Sequence, residues 1–474
     1  MSDLVTYSLL AVTVALGAYG WVFEPQKTVF LLYPTAVLFL GVDEFLSPFK
    51  CAALIWAGAT ALVMLNRRRA VRWSPQATCL LLAQAAASVG FFLNSGNPNE
   101  SVGVQIGRVM LALIPIGLAN SISGERALRR WMQVAAVSTI VAIGFASLFS
   151  EHLFGTSQRL GGVLGERTGD SISCMALIAL PMVAYFALAS TRSLQRIEWS
   201  CGAGVLVVGI ALTYTRMGLL ILVILAIWLI KKARARARFW TATLALAMFA
   251  GYAALNWVSA SKDSTYSLAG MMTSMPLIGE HSSEIRTAIR VTYLYPAAVE
   301  IIRSHPWWGV GINSFDTYAR QVNPAINQLD FLEDYPVYAH NLVLEIVSEQ
   351  GLFVGLLMLA AVLWSMRDLR RAAIASARCV LAGDSPVTLY QALYASGIVL
   401  LTQSLVRDAF NDKFIYFLIG YGIIARKPSP LRSVVLRKLM WRASKPSIPH
   451  RTRISPQVQP AGLSRDPLLA GSAD

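Results

Sequence analysis

The sequence predicts an all-α, polytopic membrane protein with about 12 transmembrane helices. Hydrophobic residues make up 55% of the 474 residues and charged residues only 14%, whereas soluble proteins carry about 25% charged residues. Apolar runs long enough to span a bilayer, about 20 residues each, recur almost end to end. These runs show no period-two alternation, so a transmembrane β-barrel is excluded.

The apolar segments predict the individual spans. In chain order they occupy residues 4–22, 28–46, 49–66, 77–93, 102–120, 132–150, 171–190, 198–214, 217–230, 239–258, 342–364, 387–406 and 413–425. We expect one segment within the first 66 residues to be short or re-entrant. The first segment lacks a basic region before it, so it is interpreted as a span rather than a cleaved signal peptide.

Basic clusters follow alternate segments and predict the orientation, because cytoplasmic loops are enriched in Lys and Arg. They lie at residues 67–72, 126–130, 192–196, 231–238, 367–371 and from 426 onward. The formal charge of +15 is therefore a topology signal, and no nucleic-acid partner is predicted. The five cysteines form no CxxC pair, so neither a metal site nor a disulfide framework is expected.

This topology divides the chain into four regions. They are an N-terminal transmembrane bundle (1–258), a large periplasmic loop domain (259–341), C-terminal transmembrane helices (342–425) and a basic cytoplasmic tail (426–474). The loop is far longer than an ordinary connection, which is typical of a functional segment. The tail is predicted to lie partly on anionic lipid as a basic amphipathic helix and to be disordered beyond Pro446.

The stretch from His305 to Gly351 is the centre of the prediction. It contains the turn Pro-Trp-Trp-Gly-Val-Gly, whose glycines suit positive φ angles or close backbone approach. Asn313 or Ser314 is expected to cap a short helix after this turn.

Four arginines are predicted on the outer face, against the topology rule: Arg159, Arg216, Arg286 and Arg290. A guanidinium fork binds phosphate oxygens in a bidentate manner, so such a group suits a lipid-linked diphosphate. The alternative is that these side chains snorkel or bind lipid head groups.

His340 is the candidate general base, since the ordinary pKa of histidine suits proton transfer at neutral pH. Tyr338 and Asn341 are its expected supporting neighbours, and Asp408 could orient the ring or pair with Arg407. The alternatives are an interfacial histidine that caps a helix and, for Asp408, a charge at a helix end.

The chain resembles the O-antigen ligase and polymerase superfamily. The resemblance rests on RLGG at Arg159, TYTRMG at Arg216, RVTYLYPAAVEIIRSHPWWGVGINSF and YAHNLVLEIVSEQGLFVG, in the family's order across residues 150–420. Thr215 stands where the family usually has serine. Tyr295 stands at the tryptophan-like position, and Arg290 is about one residue out of register. The choice between Arg286 and Arg290 therefore stays open.

The resemblance implies an all-helical membrane glycosyltransferase fold (GT-C-like) in the bacterial inner membrane, with an active site that faces the periplasm. It implies a glycan donor on undecaprenyl pyrophosphate, metal-independent transfer without a cofactor, diphosphate binding by the arginines and acceptor activation by His340. Lipid A-core is the expected acceptor. A polymerase that joins carrier-linked repeats, or a polysaccharide transporter, remains an alternative.

Carboxylates supply the rival site. Glycosyltransferases of related membrane folds use a carboxylate in the first external loop, so Asp43 and Glu44 compete with His340 for the role of base. Glu345 and Glu349 are expected to be structural, and the acidic residues 330–334 are interpreted as a solvated loop rather than a metal site.

Overall fold

A computed structural model describes twelve stretches of the chain. They are residues 11–19, 25–38, 48–66, 73–94, 102–122, 124–149, 169–213, 216–232, 289–328, 337–378, 387–405 and 413–426. All of them lie in one compact unit, Met1–Lys427. The predicted span 239–258 and the tail beyond Arg426 lie outside these residues.

Every regular element in these stretches is helical, and the all-helical class is confirmed for this part of the chain. Residues 11–19 are helical, and a 3₁₀ turn spans Pro25–Leu31. The α-helices are α1 Leu32–Leu38, α2 Pro48–Asn66, α3 Pro75–Leu93, α4 Val102–Ser121, α5 Glu125–Phe149, α6 Gly169–Ala189, α7 Ser193–Leu212, α8 Arg216–Lys232, α9 Tyr295–Ser304, α10 Phe315–Val322, α11 Leu342–Arg378, α12 Leu389–Ser404 and α13 Lys413–Ala425.

Three of the described helices are long and apolar enough to cross a membrane: Pro75–Leu93, Ile172–Ala189 and Leu342–Arg378. Shorter apolar helices occupy Phe49–Ala61, Leu220–Lys231 and Lys413–Ala425. Helices thus lie on most of the predicted segments, while the count of twelve spans stays a prediction. α11 continues past the predicted end at residue 364 and includes the basic cluster 367–371.

α11 is the centre of the helix bundle. It packs against α3, α12 and α13, and α13 packs in turn against α4. Small residues allow the close approach, since a Cβ added at Gly422 would lie 2.4 Å from the Cβ of Ser365. Helices in a bilayer associate through such tight contacts because lipid tails are as apolar as the helix surfaces, so hydrophobic burial does not drive the association.

Buried polar contacts join distant helices in the bundle. The Gln76 side chain donates from Nε2 to Oδ2 of Asp368 at 2.8 Å, and the Trp131 indole donates to the Tyr421 hydroxyl at 3.0 Å. Each contact satisfies a group whose burial would otherwise be costly. These contacts fix the register of α3 against α11 and of α5 against α13.

The described part of the long loop has a hydrophobic core of its own, separate from that of the bundle. Its members come from α9, α10 and the segments around them: Ile289, Leu294, Ala297, Ala298, Ile301, Val310, Phe315, Ala319, Ile326, Val337 and Ala339. A π-helical turn, Arg290–Leu294, leads into α9. Pro296 lacks the amide hydrogen that an α-helix would use here, which explains the wider turn.

Candidate functional site

α11 is broken at Gly351, near its N-terminus. Gly351 has φ 84° and ψ 166°, so residues 342–350 form a separate short helical segment before the long helix begins. The apolar segment 342–364 predicts one continuous helix here. The prediction of an unbroken helix is wrong at Gly351, because another segment of the chain makes hydrogen bonds with the backbone groups on both sides of the break.

That partner is the Pro-Trp-Trp-Gly-Val-Gly turn at residues 306–311. The amides of Val310 and Gly311 donate to the carbonyls of Ser348 and Glu349 at 3.0 and 2.8 Å. On the other side of the break, the amide of Leu352 donates to the Pro306 carbonyl at 2.7 Å. We call this set of three hydrogen bonds the latch.

Two glycines permit the latch. Gly309 has φ 66°, and a Cβ added there would lie 2.3 Å from the Glu349 carbonyl oxygen. A Cβ added at Gly351 would lie 2.0 Å from the Trp307 carbonyl oxygen. The predicted need for glycine in the 306–311 turn is confirmed, both for positive φ and for close approach.

The segment 342–350 also anchors α10. Glu349 is 2% exposed, and its Oε1 accepts from the amide of Phe315, the first residue of α10, at 3.5 Å. A carboxylate at a helix N-terminus is favourable because the free amides there carry partial positive charge. Ser314 occupies the capping position as predicted, but its hydroxyl donates to the Ile312 carbonyl instead.

His340 and Asn341 lie immediately before this segment. The Asn341 Oδ1 accepts from the amides of Val343 and Leu344 at 3.0 and 3.3 Å and so caps the segment. Its Nδ2 donates to the carbonyl of Leu405, just after α12, at 3.3 Å. Asn341 therefore fixes the start of the segment against the end of another helix.

His340 is half-buried and has a left-handed backbone, with φ 49°. Its ring lies edge-on to that of Tyr338, with 6.4 Å between the centroids. A non-glycine residue in this conformation is uncommon and costs about 1 kcal/mol. Such backbones persist where the surrounding structure enforces them, and they are frequent at functional sites.

Arg290 begins the π-helical turn, where its carbonyl accepts from the amide of Tyr295. Its neighbours Ile289 and Leu294 share a hydrophobic core with Val337 and Ala339, the residues on either side of Tyr338. The arginine turn and the His340 segment are therefore parts of one packed unit. Single π-helical turns are themselves frequent at functional sites.

The other predicted site residues are only partly described. Arg216 is the first residue of α8, and its side chain is outside the described atoms. Five more lie outside the described residues: Arg159, Arg286, Asp408, Asp43 and Glu44. The choice between Arg286 and Arg290 thus stays open. In the sequence, Asp408 follows by three residues Leu405, whose carbonyl accepts from Asn341.

The site residues predicted from the sequence do not include Arg108, which the structure places inside α4 with only 4% exposure. Gln105, one turn earlier, donates to the Ser88 hydroxyl of α3 at 2.8 Å. Charge within a predicted span is costly and is typically functional. The signal was present in the sequence, since Arg108 is the one charged residue between 102 and 120.

Among the described residues, no group of three His, Cys, Asp or Glu side chains is placed to hold a metal ion.

Residues 201–360 match the family model described as O-antigen ligase. The matched range includes Arg216, Arg290, the turn at 306–311, His340 and the break at Gly351. No curated protein sequence matches the chain.

Proposed function

We propose, from the match of residues 201–360 to the O-antigen ligase family model, that the protein transfers a glycan from undecaprenyl pyrophosphate to a hydroxyl of lipid A-core at the periplasmic face of the inner membrane. The observation that carries the proposal is the rigid mounting of His340. Its segment is capped by Asn341, held against the end of α12 and latched to the 306–311 turn, and all of these residues except those of α12 and Leu405 lie within the family match.

The reaction requires a general base and groups that stabilise negative charge. The acceptor oxygen attacks the anomeric carbon, the bond from that carbon to the diphosphate breaks, and the hydroxyl proton passes to a nitrogen of His340. Negative charge develops on the departing diphosphate, and guanidinium groups stabilise it. Arg159, Arg216 and either Arg286 or Arg290 have this role in the proposal. The diphosphate linkage is already activated, so the transfer uses no cofactor.

Holding His340 in a fixed position suits a general base, because its ring nitrogen must lie at hydrogen-bond distance from the hydroxyl proton that it removes. Side-chain positions matter because a displacement of about 1 Å can cost about 10²-fold in rate. Asn341 has both side-chain amide atoms engaged by backbone groups of two helices. It acts as a positioning residue for His340, and Tyr338 covers one edge of the ring.

Substitution of His340 tests the proposal in purified protein, with a carrier-linked glycan and acceptor in nanodiscs. His340→Ala is expected to reduce turnover by about 10²–10⁴-fold while donor binding stays unchanged. The sharper variant is His340→Asn, because asparagine tolerates the left-handed backbone and removes only the basic ring. Full turnover in the asparagine variant would exclude proton transfer at this residue.

The acceptor is tested by the glycans of a deletion strain. Loss of a ligase leaves free polymer on the carrier lipid, whereas loss of a polymerase leaves single repeats on lipid A-core. Donor and acceptor that change sides without a new glycosidic bond would instead indicate a transporter.

A further inference from the structure

We propose that a groove between α8, α11 and α12 binds an anionic glycerophospholipid, with its acyl chains between the helices and its phosphate at Arg370 and Arg378. The groove has a volume of about 500 Å³. Cavities that hold ligands span about 300–1,000 Å³. The site lies apart from the His340 segment and takes no part in the transfer proposed above.

The lining is a set of three helix faces. Ile221, Ile224, Leu225 and Trp228 recur at helical spacing on α8, and Ile398 and Val399 belong to the matching face of α12. α8 packs against α6 and α7. The face of α8 that carries these four residues turns toward α11 and α12 across the groove. An apolar volume of this kind in a membrane protein suits a lipid chain.

Two arginines in the α11 part of the lining define the ligand. Arg370 and Arg378 lie two turns apart on one face of α11, about 12 Å along the axis. Both side chains are exposed, and Tyr394 lies across from them on α12. Guanidinium groups favour phosphate, and basic pockets between transmembrane helices are typical sites for anionic head groups.

The position of the two arginines indicates which leaflet supplies the lipid. α8 ends at Lys232 and α11 ends at Arg378, and the basic cluster 367–371, which includes Arg370, lies in the last turns of α11. The two arginines therefore lie at the end of the bundle that carries the basic clusters. A phospholipid of that leaflet places its phosphate beside the two guanidinium groups and its chains along the apolar faces of α8 and α12.

The experiment uses the full chain in nanodiscs and a phosphatidylglycerol with a photoreactive group on one acyl chain. Cross-linked peptides are expected from α8, α11 and α12 at the groove. Unlabelled phosphatidylglycerol should compete, and phosphatidylcholine should not. In the double variant R370Q/R378Q, the lipid fraction that gives half-maximal labelling should rise about 30-fold. The matched control is R126Q/R371Q, which removes two exposed arginines outside the groove and should label like the unchanged protein.

A second variant removes the volume instead of the charge. Ala377 is half-buried and lines the groove, so Ala377→Trp should abolish labelling while the protein stays monodisperse. Equal labelling of both double variants, or uniform labelling of every lipid-facing helix, would overturn the proposal. So would displacement of the probe by undecaprenyl pyrophosphate at concentrations where phosphatidylglycerol has no effect, because the groove would then hold the carrier lipid's tail.

Discussion

Replacing Gly351 with alanine should break the latch. The backbone at Gly351, with φ 84° and ψ 166°, lies in a region that is essentially restricted to glycine. The new Cβ would also meet backbone atoms of the 306–311 turn, with the Trp307 carbonyl oxygen at 2.0 Å and the Trp308 amide nitrogen at 2.6 Å. Backbone atoms have no alternative rotamer, so the turn must move away from α11.

The cost has two parts. Strain at this φ/ψ position is about 1–3 kcal/mol, and each of the three latch hydrogen bonds is worth about 1 kcal/mol. We expect the free energy of unfolding to fall by about 4–6 kcal/mol. Two other glycines separate these contributions, because a Cβ added at Gly124 or Gly204 has no neighbour within 4 Å. Gly124 has φ +96°, so alanine there introduces backbone strain alone. Gly204 lies within α7, so alanine there introduces neither strain nor a clash.

The measurement is thermal unfolding of the purified variants in one detergent, followed by tryptophan fluorescence. Gly351→Ala should unfold at the lowest temperature, Gly124→Ala slightly below the unchanged protein, and Gly204→Ala at or above it. Glycan transfer should fall with the first variant alone, since only that change displaces the His340 segment. Equal midpoints for Gly351→Ala and Gly204→Ala would refute the latch.

Three further predictions concern Asn341, Glu349 and Arg216. Asn341→Ala removes a helix cap worth about 1 kcal/mol, so amide hydrogen exchange in the first turn of α11 should accelerate about fivefold, and unchanged exchange would contradict the capping role. Glu349→Leu removes the acceptor of the Phe315 amide and should accelerate exchange in α10 more than Glu349→Gln does; the reverse order would count against it. Arg216→Lys keeps the charge but loses the bidentate fork, so transfer should fall by about 10²-fold, and wild-type transfer would exclude direct diphosphate binding by this side chain.

Much of the helical framework follows from local pattern. Apolar runs of span length predict α3, α6 and the long part of α11, because in lipid a helix is the form that satisfies its own backbone. The glycines of the 306–311 turn are predictable for the same local reason, since few other residues adopt positive φ without strain. The family match at residues 201–360 agrees with the resemblance drawn from the motifs there.

The break at Gly351 is not predictable from local pattern. Glycine within SEQGLFVG is compatible with a continuous apolar helix, at a cost of about 1 kcal/mol. What decides the conformation is the backbone of a turn some 40 residues earlier, with bonds such as that from Leu352 to Pro306. The predicted side-chain cap of α10 by Ser314 is wrong for a similar reason. The Phe315 amide donates instead to Glu349, which is distant in the sequence.

The latch also affects the order in which the chain folds. Without the 306–311 turn, a break at Gly351 would leave the Ser348 and Glu349 carbonyls and the Leu352 amide unsatisfied, which costs several kcal/mol in a membrane. The newly made segment alone is therefore most stable as a straight helix. Because synthesis from the N-terminus delivers the turn first, we expect its docking to accompany the break in the helix and to bring His340 to its final position.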